Sequence, residues 1–161
     1  MLANSTRPSQ QFTVANLSSG YEYRFRIVAV NVIGDSELSL SAGFIASTMP
    51  GVPAMPVFFS STDLPSITIV WTVPIFNGGS TIQKYNIYVD NQLSGSVPGT
   101  VLTYTETTLL TLGVYSKFKV SAVNAIGEGT KSDEVTLLAA TVPSQVTLLT
   151  KKSSAANLIE F

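Results

Sequence analysis

Apolar residues recur at every second position in short runs along the whole chain. In Ser66-Ile67-Thr68-Ile69-Val70-Trp71 the alternation puts Ile67, Ile69 and Trp71 on one face. Tyr85, Ile87 and Val89 alternate with Lys84, Asn86, Tyr88 and Asp90, and Phe118, Val120 and Ala122 alternate with Lys117, Lys119 and Ser121. A period of two predicts strands with these apolar residues turned to a core. Asn77-Gly78-Gly79 and Asn124-Ala125-Ile126-Gly127 supply residues suited to tight turns, and no segment carries a helical period. Seven or so strands in roughly 90 residues predict an all-β, antiparallel two-sheet sandwich.

The pattern repeats. Tyr23-Arg24-Phe25-Arg26-Ile27-Val28-Ala29-Val30-Asn31-Val32-Ile33-Gly34 returns 93 residues later as Ser116-Lys117-Phe118-Lys119-Val120-Ser121-Ala122-Val123-Asn124-Ala125-Ile126-Gly127. Pro53, Phe58, Ile69 and Trp71 return 90 residues later as Pro143, Leu148, Ile159 and Phe161. These offsets divide the chain into residues 1–48, the second half of a repeat; 51–141, a complete repeat; and 142–161, the opening strands of a third. The expected organisation is a window onto a longer tandem array.

Composition narrows the chemistry. Of 161 residues 45% are apolar and 12% charged, a folded rather than disordered balance. The mean hydropathy of +0.32 comes from short strand-like runs of Val, Ile and Leu, all far shorter than the ~18 residues of a membrane-spanning helix. The chain has no Cys and no His, so a Ser-His-Asp arrangement, a Cys nucleophile and thiolate or imidazole metal sites are excluded; no cofactor is expected. Net charge is −1 with Lys and Arg scattered, so neither nucleic acid nor an anionic membrane is an expected partner. Compartment is open from these totals, with an extracellular or cell-surface setting slightly favoured.

Five features in order resemble a fibronectin type III domain. They are Pro53 with Pro56, Trp71, the Pro74 to Ile82 loop, Tyr85, and the Phe-x-Val-x-Ala-x-Asn-x-x-Gly run from Phe118 to Gly127. The resemblance implies an immunoglobulin-like sandwich with structural and protein-binding roles and no catalysis. It also implies a tyrosine corner, in which a Leu lies six residues before a Tyr that bonds nearby backbone. Leu17 and Tyr23 fit this spacing, as do Leu109 and Tyr115. Tyr115 then stands one residue further from its Asn-x-x-Gly turn than Tyr23 does, which predicts a β-bulge at Tyr115–Ser116.

The loops after the sixth strand read Ile33-Gly34-Asp35 and Ile126-Gly127-Glu128, so the Arg-Gly-Asp integrin motif of some family members is absent. Phe76, Asn77 and Glu128 are the candidate protein-contact residues, because they sit in loops at one end of the sandwich. Arg24, Arg26, Lys117 and Lys119 form an outward basic stripe that Tyr88 and Asp90 should neutralise. Glu106 falls at an inward position and is the one carboxylate expected to have a perturbed pKa, with a nearby Thr able to satisfy it. The expected function is a structural spacer and interaction module of surface, adhesion or scaffold type. Accessory domains of an enzyme and a cytoskeletal or ciliary scaffold are the alternatives.

Overall fold

The computed structural model describes residues 11–60, 66–141, 143 and 145, and the backbone of 153–155 and 158–160. Its elements are β1 (Glu22–Phe25), β2 (Ala42–Ile45), β3 (Val57–Ser60), β4 (Ile67–Val70), β5 (Lys84–Val89), β6 (Gln92–Pro98), β7 (Thr103–Glu106), β8 (Tyr115–Val123), β9 (Val135–Leu138), β10 (Ser153–Ala155) and β11 (Leu158–Glu160). From β3 to β9 they form two antiparallel sheets, one ordered β3-β4-β7 and the other β6-β5-β8-β9. No helix occurs among the described residues.

The period-two alternation does what it predicts. Ile67, Ile69 and Trp71 from one sheet meet Tyr85, Ile87, Val89, Phe118, Val120 and Ala122 from the other, and all are buried. Trp71 sets its ring edge-on to Tyr85 at 5.5 Å between centroids, the arrangement that ring quadrupoles favour. Ile82, Leu102, Leu109 and Leu110 close the core at the ends.

The β5–β6 hairpin turns on Asp90 and Asn91, both with positive φ (48° and 68°), as a two-residue turn matched to strand twist requires. Its ladder pairs Ile87 with Gly95 and Tyr88 with Leu93, so Ser94 is an extra residue on β6. This bulge aims Ser94 at the opposite sheet, where it meets Tyr104 and Glu106 of β7. A second register shift lies in β3 between Phe58 and Ser60.

The β1–β2 hairpin is a copy of β8–β9. Glu22 faces Ile45 and Phe25 faces Ala42, while 93 residues on Tyr115 faces Leu138 and Phe118 faces Val135. Both hairpins end in an isolated bridge, Val30 to Asp35 and Val123 to Glu128. Gly20 donates to Ala46 O and Gly113 to Ala139 O, each at 2.8 Å. The copies differ in cover: Val120 is fully buried, whereas Ile27 at the same place is 74% exposed. The expected third repeat falls largely outside the described residues, which contain only the β10–β11 pairing of its span.

Candidate functional site

The most closely built surface joins the β2–β3 linker to two loops of the sandwich. The linker runs in extended form past the β4–β5 loop, with Thr48 N donating to Gly78 O and Gly51 N to Phe76 O, both at 2.8 Å. Ser47 Oγ donates to Gly79 O at 3.0 Å and Ser19 Oγ to Gly78 O at 3.1 Å. From the β8–β9 loop, Asn124 Nδ2 reaches Thr48 O at 2.7 Å and Asn77 O at 2.9 Å. One amide therefore ties the linker and both loops together. Gly78 and Gly79 adopt φ of 79° and 75°, and their bare backbone lets the linker approach. A Cβ on Gly78 would stand 2.8 Å from Met49 O, and one on Gly79 would stand 2.8 Å from Gly20 Cα.

The candidate contact residues divide between two places. Phe76 is 43% exposed, and its ring lies against Gly20 of the first hairpin, where an added Cβ would be 3.3 Å from Phe76 Cε2. Asn77 closes its own turn by accepting from Gly79 N at 2.9 Å, and its carbonyl serves Asn124. Glu128 lies on the outer face of the four-stranded sheet. It accepts from Tyr88 Oη at 2.7 Å and from Ser121 Oγ, and Lys131 Nζ stands 3.4 Å over the Tyr88 ring. Partial burial pushes the Glu128 carboxyl up, but the bonds from Ser121, Tyr88 and Asn86 outweigh it and the net shift is down. Tyr88 is pushed up by burial and then by Glu128.

The basic stripe is neutralised chiefly by Glu134, which binds Lys117 at 2.8 Å and Lys119 at 3.3 Å. Those bonds hold the Glu134 carboxyl down and the Lys117 ammonium up. Asp90 accepts from the Lys117 backbone N at 3.0 Å, and Arg24 lies 3.6 Å from Glu22. Among the described residues no group of His, Cys, Asp and Glu could hold a metal ion.

Residues 56–137, just over half the chain, match the fibronectin type III domain family. The chain belongs to that family. Human myomesin-2 is 37% identical over 138 residues, covering 76% of this chain. The striated-muscle M-protein of Gallus gallus is 34% identical over 134 residues, again covering 76%. The chain spans 9% of the length of either relative. Among solved structures, titin domains A168–A170 superpose with a TM-score of 0.59 at 19% identity, covering 73% of this chain and 40% of that one. Domains d3–d4 of rat CD45 give 0.54 at 17%, covering 85% and 74%. At such identities these structures establish the shared fold.

In the first hairpin Tyr23 Oη accepts from Ser18 N at 2.8 Å, the backbone contact that the tyrosine-corner spacing predicts. It does not form at Tyr115. The β8–β9 ladder runs unbroken from Tyr115 to Phe118, so the bulge expected there is absent, and Tyr115 is 65% exposed. A constant offset of 93 residues aligns Leu17 with Leu110, Gly20 with Gly113 and Tyr23 with the buried Ser116. Nothing has been inserted; Ser116 occupies the corner position and Tyr115 is its outward neighbour. Tyr115→Ala should therefore change stability by no more than about 0.5 kcal/mol in urea denaturation. A loss above about 2 kcal/mol would restore Tyr115 to the corner.

Glu106 is inward, as its position predicts, and 1% exposed. Its Oε1 accepts from the backbone N of Thr107 (2.9 Å), Thr108 (2.6 Å) and Leu109 (3.0 Å) and from Thr108 Oγ1 (2.9 Å). Ser94 Oγ, delivered by the β6 bulge, donates to Oε2. Burial alone would raise this carboxyl's pKa, but the bonds from Ser94, Leu109 and Thr108 together bring it below the ordinary value. So encircled, the carboxylate clamps one sheet to the other. The sequence also leaves the reach of Asn124 and Ser94 unstated; the recurrence of Asn31 as Asn124 is the one signal pointing to the former.

Proposed function

We propose that the chain is a semi-rigid spacer and protein-interaction stretch of a larger multidomain protein. Residues 1–48 are the C-terminal half of one fibronectin type III domain, 51–141 a complete one, and 142–161 the first strands of another. The observation that carries this is the junction, where Asn124, Gly78 and Phe76 fix the linker to the sandwich through named hydrogen bonds. Support for the repeat comes from the shared register of the two hairpins and from the 138-residue match to myomesin-2, longer than one sandwich. Phe76 and Asn77 then serve contact with the neighbouring unit, and Glu128 offers a polar contact from the outer sheet face.

Backbone ¹⁵N relaxation tests the spacer. Amides of β1–β2 and of β5 and β8 should report one rotational correlation time, whereas two separate times would mean a free joint. A narrower reading, a cytoskeletal scaffold, is favoured by the similarity to myomesin-2 and to a protein of striated muscle. Cell-surface labelling by an antibody to the chain would sink it.

A further inference from the structure

The two Asn-x-x-Gly turns are built alike. Asn31 Oδ1 accepts from Ile33 N at 2.9 Å and Gly34 N at 3.2 Å; Asn124 Oδ1 accepts from Ile126 N at 2.9 Å and Gly127 N at 3.2 Å. These bonds lock each side chain so that its Nδ2 faces away from the turn. At Asn124 that amide grips Thr48 O, and the Met49 Cγ and Sδ stand 3.5 Å from the place a Cβ on Gly127 would take. At Gly34 a Cβ would meet nothing within 4 Å. The turn there borders an open pocket of about 370 Å³ lined by Asn31, Ile33, Gly34, Asp35 and Ser36 among others, Asp35 being the one charged group. Ile33 is 90% exposed beside it.

We infer that this pocket is a docking site for an extended, uncharged linker segment of the Thr48–Met49 kind from another fibronectin type III unit. Asn31 Nδ2 donates to the segment's threonine carbonyl, and its methionine side chain covers Gly34. The inference rests on reading residues 1–48 as half of a domain. One difference between the turns sets the pose. Gly129 leaves room for the Pro50 carbonyl, but Ser36 takes its place in the first copy. The Ser36 Oγ is also engaged, accepting from Ala29 N at 2.9 Å. The segment therefore seats through its first two residues, and the carbonyl after the methionine is held further out.

The test is titration of an end-blocked synthetic peptide with the sequence of residues 46–52 into the ¹⁵N-labelled 161-residue chain. Saturable shifts are expected at the Ile33 and Gly34 amides and the Asn31 side-chain amide. The dissociation constant should be on the order of 1 mM or tighter, because a tethered segment at millimolar effective concentration stays docked only if it binds at least that well. Asn31→Asp keeps the turn's acceptor and removes the donor, and should abolish the shifts. Ser36→Gly should tighten binding several-fold. Absent saturation, shifts surviving Asn31→Asp, or no tightening with Ser36→Gly would each overturn the inference. Asn124→Asp in the same chain should speed amide exchange at Thr48 and Gly51 about tenfold. Unchanged exchange there would bring down the junction itself, whereas faster exchange with a failed titration removes the Asn31 pocket alone.

Discussion

Glu106→Ala is expected to be the most damaging polar substitution in the sandwich, costing about 3–4 kcal/mol of stability. The carboxylate is 1% exposed and accepts from three backbone N–H groups, Thr108 Oγ1 and Ser94 Oγ. Alanine leaves a void and deprives these donors, of which the partly exposed loop amides can turn to water and Ser94 Oγ to Tyr104 Oη, 2.9 Å away, so the cost falls mainly on the void and the lost tie between the sheets. A loss of this size lowers the melting temperature by about 12–32 °C in a domain of some 90 residues. Glu106→Gln keeps an acceptor for the loop and presents its amide to Ser94 Oγ, so about 1–2 kcal/mol is expected. Thermal melts would check both, and a Glu106→Ala loss below about 1 kcal/mol would refute the clamp.

The same site predicts an acid response. Because the folded pKa of Glu106 is lowered, its contribution to stability is fully present above the unfolded value of about 4.3. It fades as pH falls below that value and through the lower folded pKa, where the carboxyl protonates in both states. Glu128 and Glu134 shift the same way and add to the slope. Glu106→Gln should therefore flatten the fall in stability below about pH 4.3 without abolishing it. An unchanged slope would mean that Glu106 does not titrate with folding.

Gly78→Ala is the second large effect, about 3 kcal/mol, and here the loss falls on the junction. Its φ of 79° costs an L-residue roughly 1–2 kcal/mol before any contact is counted. The new Cβ would then collide with the Thr48 carbonyl and come within 2.8 Å of Met49 O and Asn124 Nδ2. Backbone on one side and a locked amide on the other leave relief only by lifting the linker, which breaks the Thr48-to-Gly78 and Asn124-to-Thr48 bonds at about 1 kcal/mol each. Gly113 is the internal control. Its φ is 76°, but a Cβ there meets nothing within 4 Å, so Gly113→Ala should cost only the conformational ~1 kcal/mol. Equal losses in urea titrations of the two variants would show that linker contact at Gly78 contributes nothing. Amide exchange at Thr48 and Gly51 should accelerate in Gly78→Ala and not in Gly113→Ala.

Two sequence expectations met different ends. The core positions hold because a strand repeats every two residues and an interior selects one face, so Ile67, Ile69, Tyr85, Ile87, Phe118 and Val120 could be named without coordinates. The bulge expected at Tyr115 is absent because the two hairpins keep a constant offset of 93: Gly20 and Gly113 correspond, so Ser116 stands where Tyr23 does, and the shared residue type of Tyr23 and Tyr115 is not a shared position. The bulge at Ser94 lies in a strand with no counterpart among residues 11–48, so the repeat holds no information about it.

By itself the sequence determined the sandwich, its family, its inward-facing residues and the absence of thiol or imidazole chemistry. Those follow from local periodicity and residue inventory. Only the tertiary structure decided that Ser94 reaches Glu106 from the other sheet and that Asn124 grips the linker 76 residues before it. Both depend on bringing separate segments of the chain within about 3 Å, a distance at which hydrogen bonds form and which no pattern along a single strand encodes.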